Sequence, residues 1–472
     1  MTLTPERTVP RASLRTPDPA PAAPRHSADP LVALARRLHF YAGVFVGPFL
    51  LVAAVSGFFY ALAPAAEGVL HERETTASSA AQRVPLSAQV SIARRAHPDL
   101  AVSAVVPGTG GVTTRVLFTD PEQLSPSYRP AVFVDPASGR VTGTSVLYGG
   151  SQAFPERAWL SEMHRRLHLG EPGRLYSELA ASWLAPISLT GLFLWWRQGR
   201  SGAMRSSHPR ARAVRRHAVI GLVAGLGFLG LSVTGLTWSA HAGARADQLW
   251  MAMSWKKPAL DTTLGAGGSA AGPHAGAHAG HLAAAAAPSG TVLGSLDLAA
   301  AGAARAGLEA PVELTPPAGP GSGWSAEEVR RSWSVGPDAV VLDPASGKVV
   351  ERLDFADYPL MAKVTDWGIR GHMGLLFGLP NQLALAGVAA ALAVSVVLGY
   401  RSWWLRRPTR GAWAGRACER AAIGELVQHR PRAAAGLLVG AVVLVWLVPL
   451  LAASVVAFLV LDLLRRRRVV SR

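Results

Sequence analysis

His164-Arg-Arg-Leu-His168-Leu-Gly170-Glu-Pro172, running on to Trp195-Trp196-Arg197, is a stretch that this chain contains twice. Moving on by 372 − 164 = 208 positions gives His372-Met-Gly-Leu-Leu-Phe-Gly378-Leu-Pro380, and the same shift lays Trp195-Trp196 on Trp403-Trp404 without a gap. It also lays Asp135-Pro-Ala-Ser-Gly139 on Asp343-Pro-Ala-Ser-Gly347. A third pair coincides at 217 − 39 = 178: Arg36-Arg37-Leu38-His39 with Gly43 and Gly47, against Arg215-Arg216-His217 with Gly221 and Gly225. Together the matches read as a tandem duplication. Each half is an apolar helix, a soluble segment, a histidine and a second apolar helix.

The bulk numbers place that pattern in a membrane. Half of the 472 residues are hydrophobic and only 16% are charged, with a mean hydropathy of +0.24; soluble domains rarely combine these values. The net charge of +17 sits in short clusters beside apolar runs, which fits membrane topology and lipid contact and argues against a nucleic-acid partner. The single cysteine, Cys418, excludes a disulfide framework, a Cys-ligated metal and a CxxC pair. Residues 1–30, rich in Pro, Ala and Arg, read as a disordered cytoplasmic tail.

Charge-free runs at His39 to Ala66, Leu179 to Trp196, Ala218 to Ala240 and Met373 to Tyr400, near or above the roughly 20 residues a span needs, mark four transmembrane helices with expected bounds 31–66, 164–197, 215–241 and 372–405. Between them, Arg197 to Arg216 carries seven arginines and no acid, and Arg401 to Arg432 carries eight arginines against Glu419 and Glu425. The basic loops 198–214 and 406–432 are therefore predicted to be cytoplasmic, which puts the N-terminus inside and the long segments 67–163 and 242–371 outside. The uncharged stretch Ala433 to Leu461, broken at Pro449, is predicted to form a hairpin over 433–464 ahead of a basic tail at 465–472. The expected class is an integral membrane α-helical protein: a duplicated four-helix bundle, a C-terminal helical hairpin and two small α+β domains outside the membrane.

Within the first outer segment a helix is expected over Ser87 to Ala96, then strands at Val102 to Val106, Val112 to Thr119 and Ala131 to Val134. The second should hold a helix over Leu296 to Ala306 and strands at Arg331 to Val335 and Ala339 to Asp343. Asp-Pro-Ala-Ser-Gly is turn chemistry in both. Residues 258–290, rich in Gly, Ala and His, read as a flexible insertion whose His274, His278 and His281 suit Cu(II), Ni(II) or Zn(II) weakly.

Both halves cross in one direction, so equivalent residues share a depth and can face each other. His39 and His217 fall in the first turns of helices one and three, and His164 and His372 precede helices two and four. Two imidazoles at one depth are what bis-histidine ligation of a haem iron inside a helical bundle requires. Gly43, Gly47, Gly221 and Gly225 would let a flat macrocycle approach the backbones. Two haems follow, one per leaflet. His168, four residues after His164 on one helical face, and His241, ending helix three, are further ligand candidates. Arg165, Arg166 and Arg174 are candidate propionate partners. Interfacial anchoring and plain helix packing explain such histidines and glycines equally in isolation, and the Trp pairs suit an interfacial belt.

Leu38-His39 with Gly43, Ser56-Gly57, Thr234-Gly235, Met163-His164-Arg165 with Gly170, Thr190-Gly191-Leu192-Phe193-Leu194-Trp195-Trp196, the two Asp-Pro-Ala-Ser-Gly turns and Gly371-His372 with Gly378 occur in an order that resembles the PepSY-associated transmembrane-helix family, over about residues 31–464. The resemblance implies PepSY-type outer domains, haem b at His39, His164, His217 and His372, and a place in the inner (cytoplasmic) membrane. It further implies the activity of a di-haem reductase that passes electrons to a ferric siderophore or other metal chelate, with a quinol or a cytoplasmic donor supplying them. A non-enzymatic, membrane-anchored PepSY binding module is the alternative, and a permease is weakened by the scarcity of acids within the spans.

Overall fold

The computed structural model describes residues 29–79, 82–198, 208–265, 294–329, 333, 336–405 and 431–457. Helix α1 (Pro30–Leu70) is 41 residues long and starts where Asp29 accepts a hydrogen bond from the Leu31 amide and proline takes the first helical position. A short turn, α2 (Glu72–Thr75), leads to α3 (Leu86–Arg94) and strands β1 (Ala101–Val106), β2 (Thr114–Thr119), β3 (Tyr128–Val134) and β4 (Val141–Tyr148). Then come α4 (Pro155–Arg166) and α5 (Gly170–Gln198). The second half follows with α6 (Pro209–Leu236), α7 (His241–Ala252), α8 (Leu296–Arg305), β5 (Val312–Thr315), β6 (Trp324–Glu328), β7 (Ala339–Leu342), β8 (Val349–Leu353), α9 (Leu360–His372), α10 (Leu379–Trp404) and α11 (Pro431–Leu447).

Four of these helices, α1, α5, α6 and α10, are long and apolar enough to cross a membrane. They pack as a ring in which α1 touches α5 and α10, and α6 touches the same two. Ala42, Val46, Leu50, Ala54, Trp183, Leu184, Ala224, Phe228 and Leu392 fill its centre. Helices α1 and α6 start well before the charge-free runs at His39 and Ala218 that marked them. An Asp29-Pro30 cap opens α1 and a His208-Pro209 cap opens α6, so His39 and His217 sit two to three turns inside their helices rather than in the first.

The expected helix at 164–197 is two helices. α4 ends at Arg166 because Leu167 and His168 both take left-handed φ values, 54° and 53°, and α5 restarts at Gly170. The fourth span is likewise preceded by a separate helix, with His372 the last residue of α9. Beyond α11 the chain bends by 119° into a second arm, Pro449–Ala457, near the residue expected to turn it. Trp183 Nε1 donates to Ser454 Oγ at 2.9 Å, and Val448 and Leu451 join the apolar interior of the ring.

Outside the ring the two expected α+β units share one antiparallel sheet of eight strands, ordered β4-β3-β2-β1-β5-β6-β7-β8. β1 and β5 join the halves, with Val105 opposite Leu314. Helices α3 and α8 lie side by side on one face and close a core of Val90, Val105, Val116, Phe118, Leu296, Leu314, Trp324 and Leu342; each large side chain so buried contributes about 1.5–3 kcal/mol. The seam carries buried charge on the other face. Arg129 Nη1 lies 2.8 Å from Glu313 Oε1, Gln152 Nε2 donates to Glu313 Oε2 at 2.7 Å, and Arg115 Nη1 donates to Gln152 Oε1 at 2.7 Å.

Both Asp-Pro-Ala-Ser-Gly turns form. Asp135 and Asp343 accept from the amide two residues on, and Gly139 and Gly347 take the positive φ of 69° and 65° that closes the turn. Strands β5 and β6 were not expected, and β4 and β8 only as the segments that the turns imply. Most of Arg331 to Val335 lies outside the described residues, as do His274, His278 and His281. Residues 258–265, assigned to the insertion, instead pair at Thr263 with Ser322.

Candidate functional site

The four histidines expected to act together do meet, in two pairs at opposite ends of the helix ring. His39 on α1 and His217 on α6 face each other across the ring with centroids 5.9 Å apart and planes at 76°. His164, on α4, and His372, on α9, meet at the sheet end with centroids 6.4 Å apart and planes at 56°.

Each ring is held by the same device. His39 Nδ1 is 2.9 Å from the carbonyl of Ile187, and His217 Nδ1 is 2.9 Å from the carbonyl of Ser395, 208 positions on. A carbonyl only accepts, so both Nδ1 atoms carry the proton and both Nε2 atoms keep a free lone pair. His164 Nδ1 lies 3.0 Å from Ser56 Oγ and His372 Nδ1 lies 2.7 Å from Thr234 Oγ1, residues 178 positions apart. Those hydroxyls already donate to backbone carbonyls, Ser56 to Val52 at 2.8 Å and Thr234 to Gly230 at 2.7 Å. They therefore accept from Nδ1–H, and the tautomer is the same at all four positions. A protonated Nδ1 tied to the protein with Nε2 left over is how proteins orient a metal-binding imidazole.

A glycine stands beside every ring, and at two of them it makes the room. A methyl group added at Gly191 would stand 2.9 Å from His39 Cε1, at Gly57 3.1 Å from His164 Cε1, at Gly235 3.6 Å from His372 Cε1, and at Gly399 3.9 Å from His217 Cε1. Sequence reasoning named Ser56, Gly57, Thr234, Gly235 and Gly191 only as family motifs; their common 178 and 208 spacings were the signal that they serve the histidines. Ser395 and Gly399 were missed.

Of the four glycines expected to admit a flat group, Gly43 and Gly221 have open space where a side chain would stand, whereas Gly47 is filled by the Tyr400 ring and Gly225 by Leu192. That corrects the expectation for Gly47 and Gly225, whose neighbours use the space for packing. Tyr400 also donates to the Val44 carbonyl at 2.5 Å.

Helix α4 is fixed to α1 by Glu67, whose carboxylate accepts from the Phe154 amide at 2.7 Å and from Arg157 Nε at 2.8 Å in a buried pair. Burial, with His164 nearby, pushes His372 down to about 4, and burial also lowers His164. Both shifts favour the neutral ring. That is the protonation state in which an imidazole can bind a metal.

The other candidates stand apart. His168 is not on one face with His164, because the helix ends between them, and its ring packs on Trp159 at 4.8 Å. His241 does not end the third span but opens α7, where Glu178 accepts from its amide at 3.0 Å and from that of Ala242 at 2.8 Å. Arg165 is engaged by Tyr148 and Glu162, Arg166 by Glu162 and Arg174 by Glu171. Among the described residues no group of three or more His, Cys, Asp or Glu side chains converges on a point.

Several apolar helices of spanning length joined to a separate sheet region define a multi-pass membrane protein. The model of the PepSY-associated TM region matches residues 36–406, and the chain belongs to that family. No curated protein matches it.

Proposed function

We propose that this chain is a haem-containing transmembrane electron-transfer protein that reduces an extracytoplasmic ferric chelate, such as a siderophore, and so releases Fe(II). The supporting observation is the doubled imidazole pair with all four Nδ1 atoms tied to the protein. An imidazole nitrogen binds a first-row metal at ~2 Å, and the ring centre lies ~1 Å behind it, so two rings that would hold one metal between them stand within about 6 Å of each other. The separations of 5.9 and 6.4 Å fit that donor set.

The residues therefore suit two haem b groups, His39 with His217 and His164 with His372. Bound haem would supply one-electron iron chemistry. The chain's own contribution is to hold each Nε2 unprotonated through its Nδ1 partner, to keep side chains out of the space beside Gly43 and Gly221, and to exclude water with the apolar ring interior. The reaction balances as one electron per ferric ion, taken from a quinol or a cytoplasmic reductant. Iron leaves an oxygen-donor chelate because Fe(II) is held there much less tightly than Fe(III). In this reading the protein sits in the inner membrane with its N-terminus in the cytoplasm, which the arginine-rich loops 198–214 and 406–432 support, and the two halves are a tandem four-helix bundle carrying PepSY-type domains.

The test is reconstitution into liposomes with a reductant sealed inside and a ferric siderophore outside, with an Fe(II)-specific dye reporting. Dye colour that needs the protein and is lost in His39→Ala and His372→Ala is expected. Equal rates in wild type and both variants would dismiss the proposal.

A further inference from the structure

Where α6 and α10 meet, at the end of the ring away from the sheet, Pro209, Arg212, Ala213, Arg216, Leu398 and Arg401 line a cleft of about 120 Å³. We propose that this cleft binds the phosphate of an anionic phospholipid headgroup from the adjoining leaflet.

Three observations lead there. The three arginines come from two different helices, and among the described residues none of them has an acidic partner, whereas Arg197 on α5 is paired with Asp29 at 2.7 Å. They also crowd the start of α6, whose first turn contains no acid. Cations at the positive end of a helix repel it, and an anion there is favoured both by the dipole and by the unpaired amides. Among the described residues the arrangement is thus like-charged until an anion arrives.

The third observation is that the repeat does not need these charges. Subtracting 178 from Arg212, Ala213 and Arg216 gives Leu34, Ala35 and Leu38, and subtracting 208 from Arg401 gives Phe193. The equivalent positions of the first half keep the alanine and replace all three arginines by apolar side chains, so helix packing alone does not explain them. A lipid is favoured over a free anion because Ala213 and Leu398 give the cleft an apolar floor, and because Trp403 and Trp404 stand two and three residues after Arg401, where an interfacial belt would lie. The inference does not depend on haem binding.

Full-length protein would be titrated with phosphatidylcholine vesicles, with the same vesicles doped with phosphatidylglycerol, and with inorganic phosphate alone, with bound lipid counted by native mass spectrometry. One basic side chain near a membrane surface is worth about fivefold in affinity. Tighter binding of phosphatidylglycerol is expected, weakened about fivefold by Arg216→Gln and about a hundredfold by Arg212→Gln, Arg216→Gln and Arg401→Gln together, and largely restored when the three are lysine. The lysine variant guards against loss by misfolding. Retention unchanged in the triple glutamine variant, equal binding of both lipids, or saturation by inorganic phosphate alone would overturn the lipid assignment. So would a loss of haem from Arg216→Gln, since the cleft would then serve a propionate.

Discussion

Substituting alanine for the four glycines beside the histidines separates what the repeat makes equivalent. Carbon atoms pack comfortably at about 3.5–4.0 Å. At Gly191 the new methyl group would stand 2.9 Å from His39 Cε1 and 3.3 Å from Nδ1, so the ring or the helix must yield by about 0.6–1 Å, at the ~1–3 kcal/mol typical of overpacking. A shift of that size also stretches the 2.9 Å bond from Nδ1 to Ile187 past hydrogen-bond length, for about 1 kcal/mol more. Gly57→Ala, with 3.1 Å to His164, should show the same effect more weakly. At Gly235 and Gly399 the corresponding 3.6 and 3.9 Å are ordinary contacts, and alanine should add up to about 1 kcal/mol of stability through its helix preference. Thermal unfolding and, on the proposed function, haem retained per chain together read the series. The expected order of disturbance is Gly191→Ala, then Gly57→Ala, with the other two silent or stabilising. Gly399→Ala as harmful as Gly191→Ala, or four silent variants, would refute the reasoning.

The sheet seam offers a second test. Glu313→Gln leaves Arg129 buried without its anion and removes the carboxylate that Gln152 and, through it, Arg115 also use, and should cost about 3–5 kcal/mol; a Glu313→Gln protein that unfolds like wild type in a denaturant titration would contradict the burial. At the first turn, burial raises the Asp135 carboxyl, but hydrogen bonds from Ser78, the Ala137 amide and Ser138 outweigh it and hold the group at about 2. A folded value below the unfolded one stabilises above about pH 4, and that contribution disappears as pH falls toward 2, on the order of 1 kcal/mol after solvent screening. Asp135→Asn should therefore be less stable than wild type at pH 7 and equal to it near pH 2; a difference that persists at pH 2 excludes the linkage.

How much of this was legible in the sequence follows from the kind of signal each feature leaves. Runs without charge mark a span locally, and the 178 and 208 offsets bring His39 to His217 and His164 to His372 without any structure. The seam was not legible, although β1 and β5 lie one repeat apart, 314 − 105 = 209 positions at Val105 and Leu314, because a repeat shows which strands are equivalent and not that their edges pair. Glu313, Ser325 and Glu327 hid β5 and β6, since a carboxylate buried against Arg129 looks like a surface residue in a sequence window. The helix break at Leu167 and His168 was missed because its left-handed residues are not glycines, and the visible breaker, Gly170, comes after it. His168 and His241 were credited as ligand candidates for being near the right elements, and nearness along the chain does not fix where a ring points.

The central claim, that like histidines from the two halves share a metal-bearing group, is tested most directly by counting haem per chain in purified wild type, His39→Ala and His372→Ala. Two per chain in the wild type and about one in either variant is the expected result. A colourless protein from haem-replete cells, or a count that neither substitution changes, would contradict it.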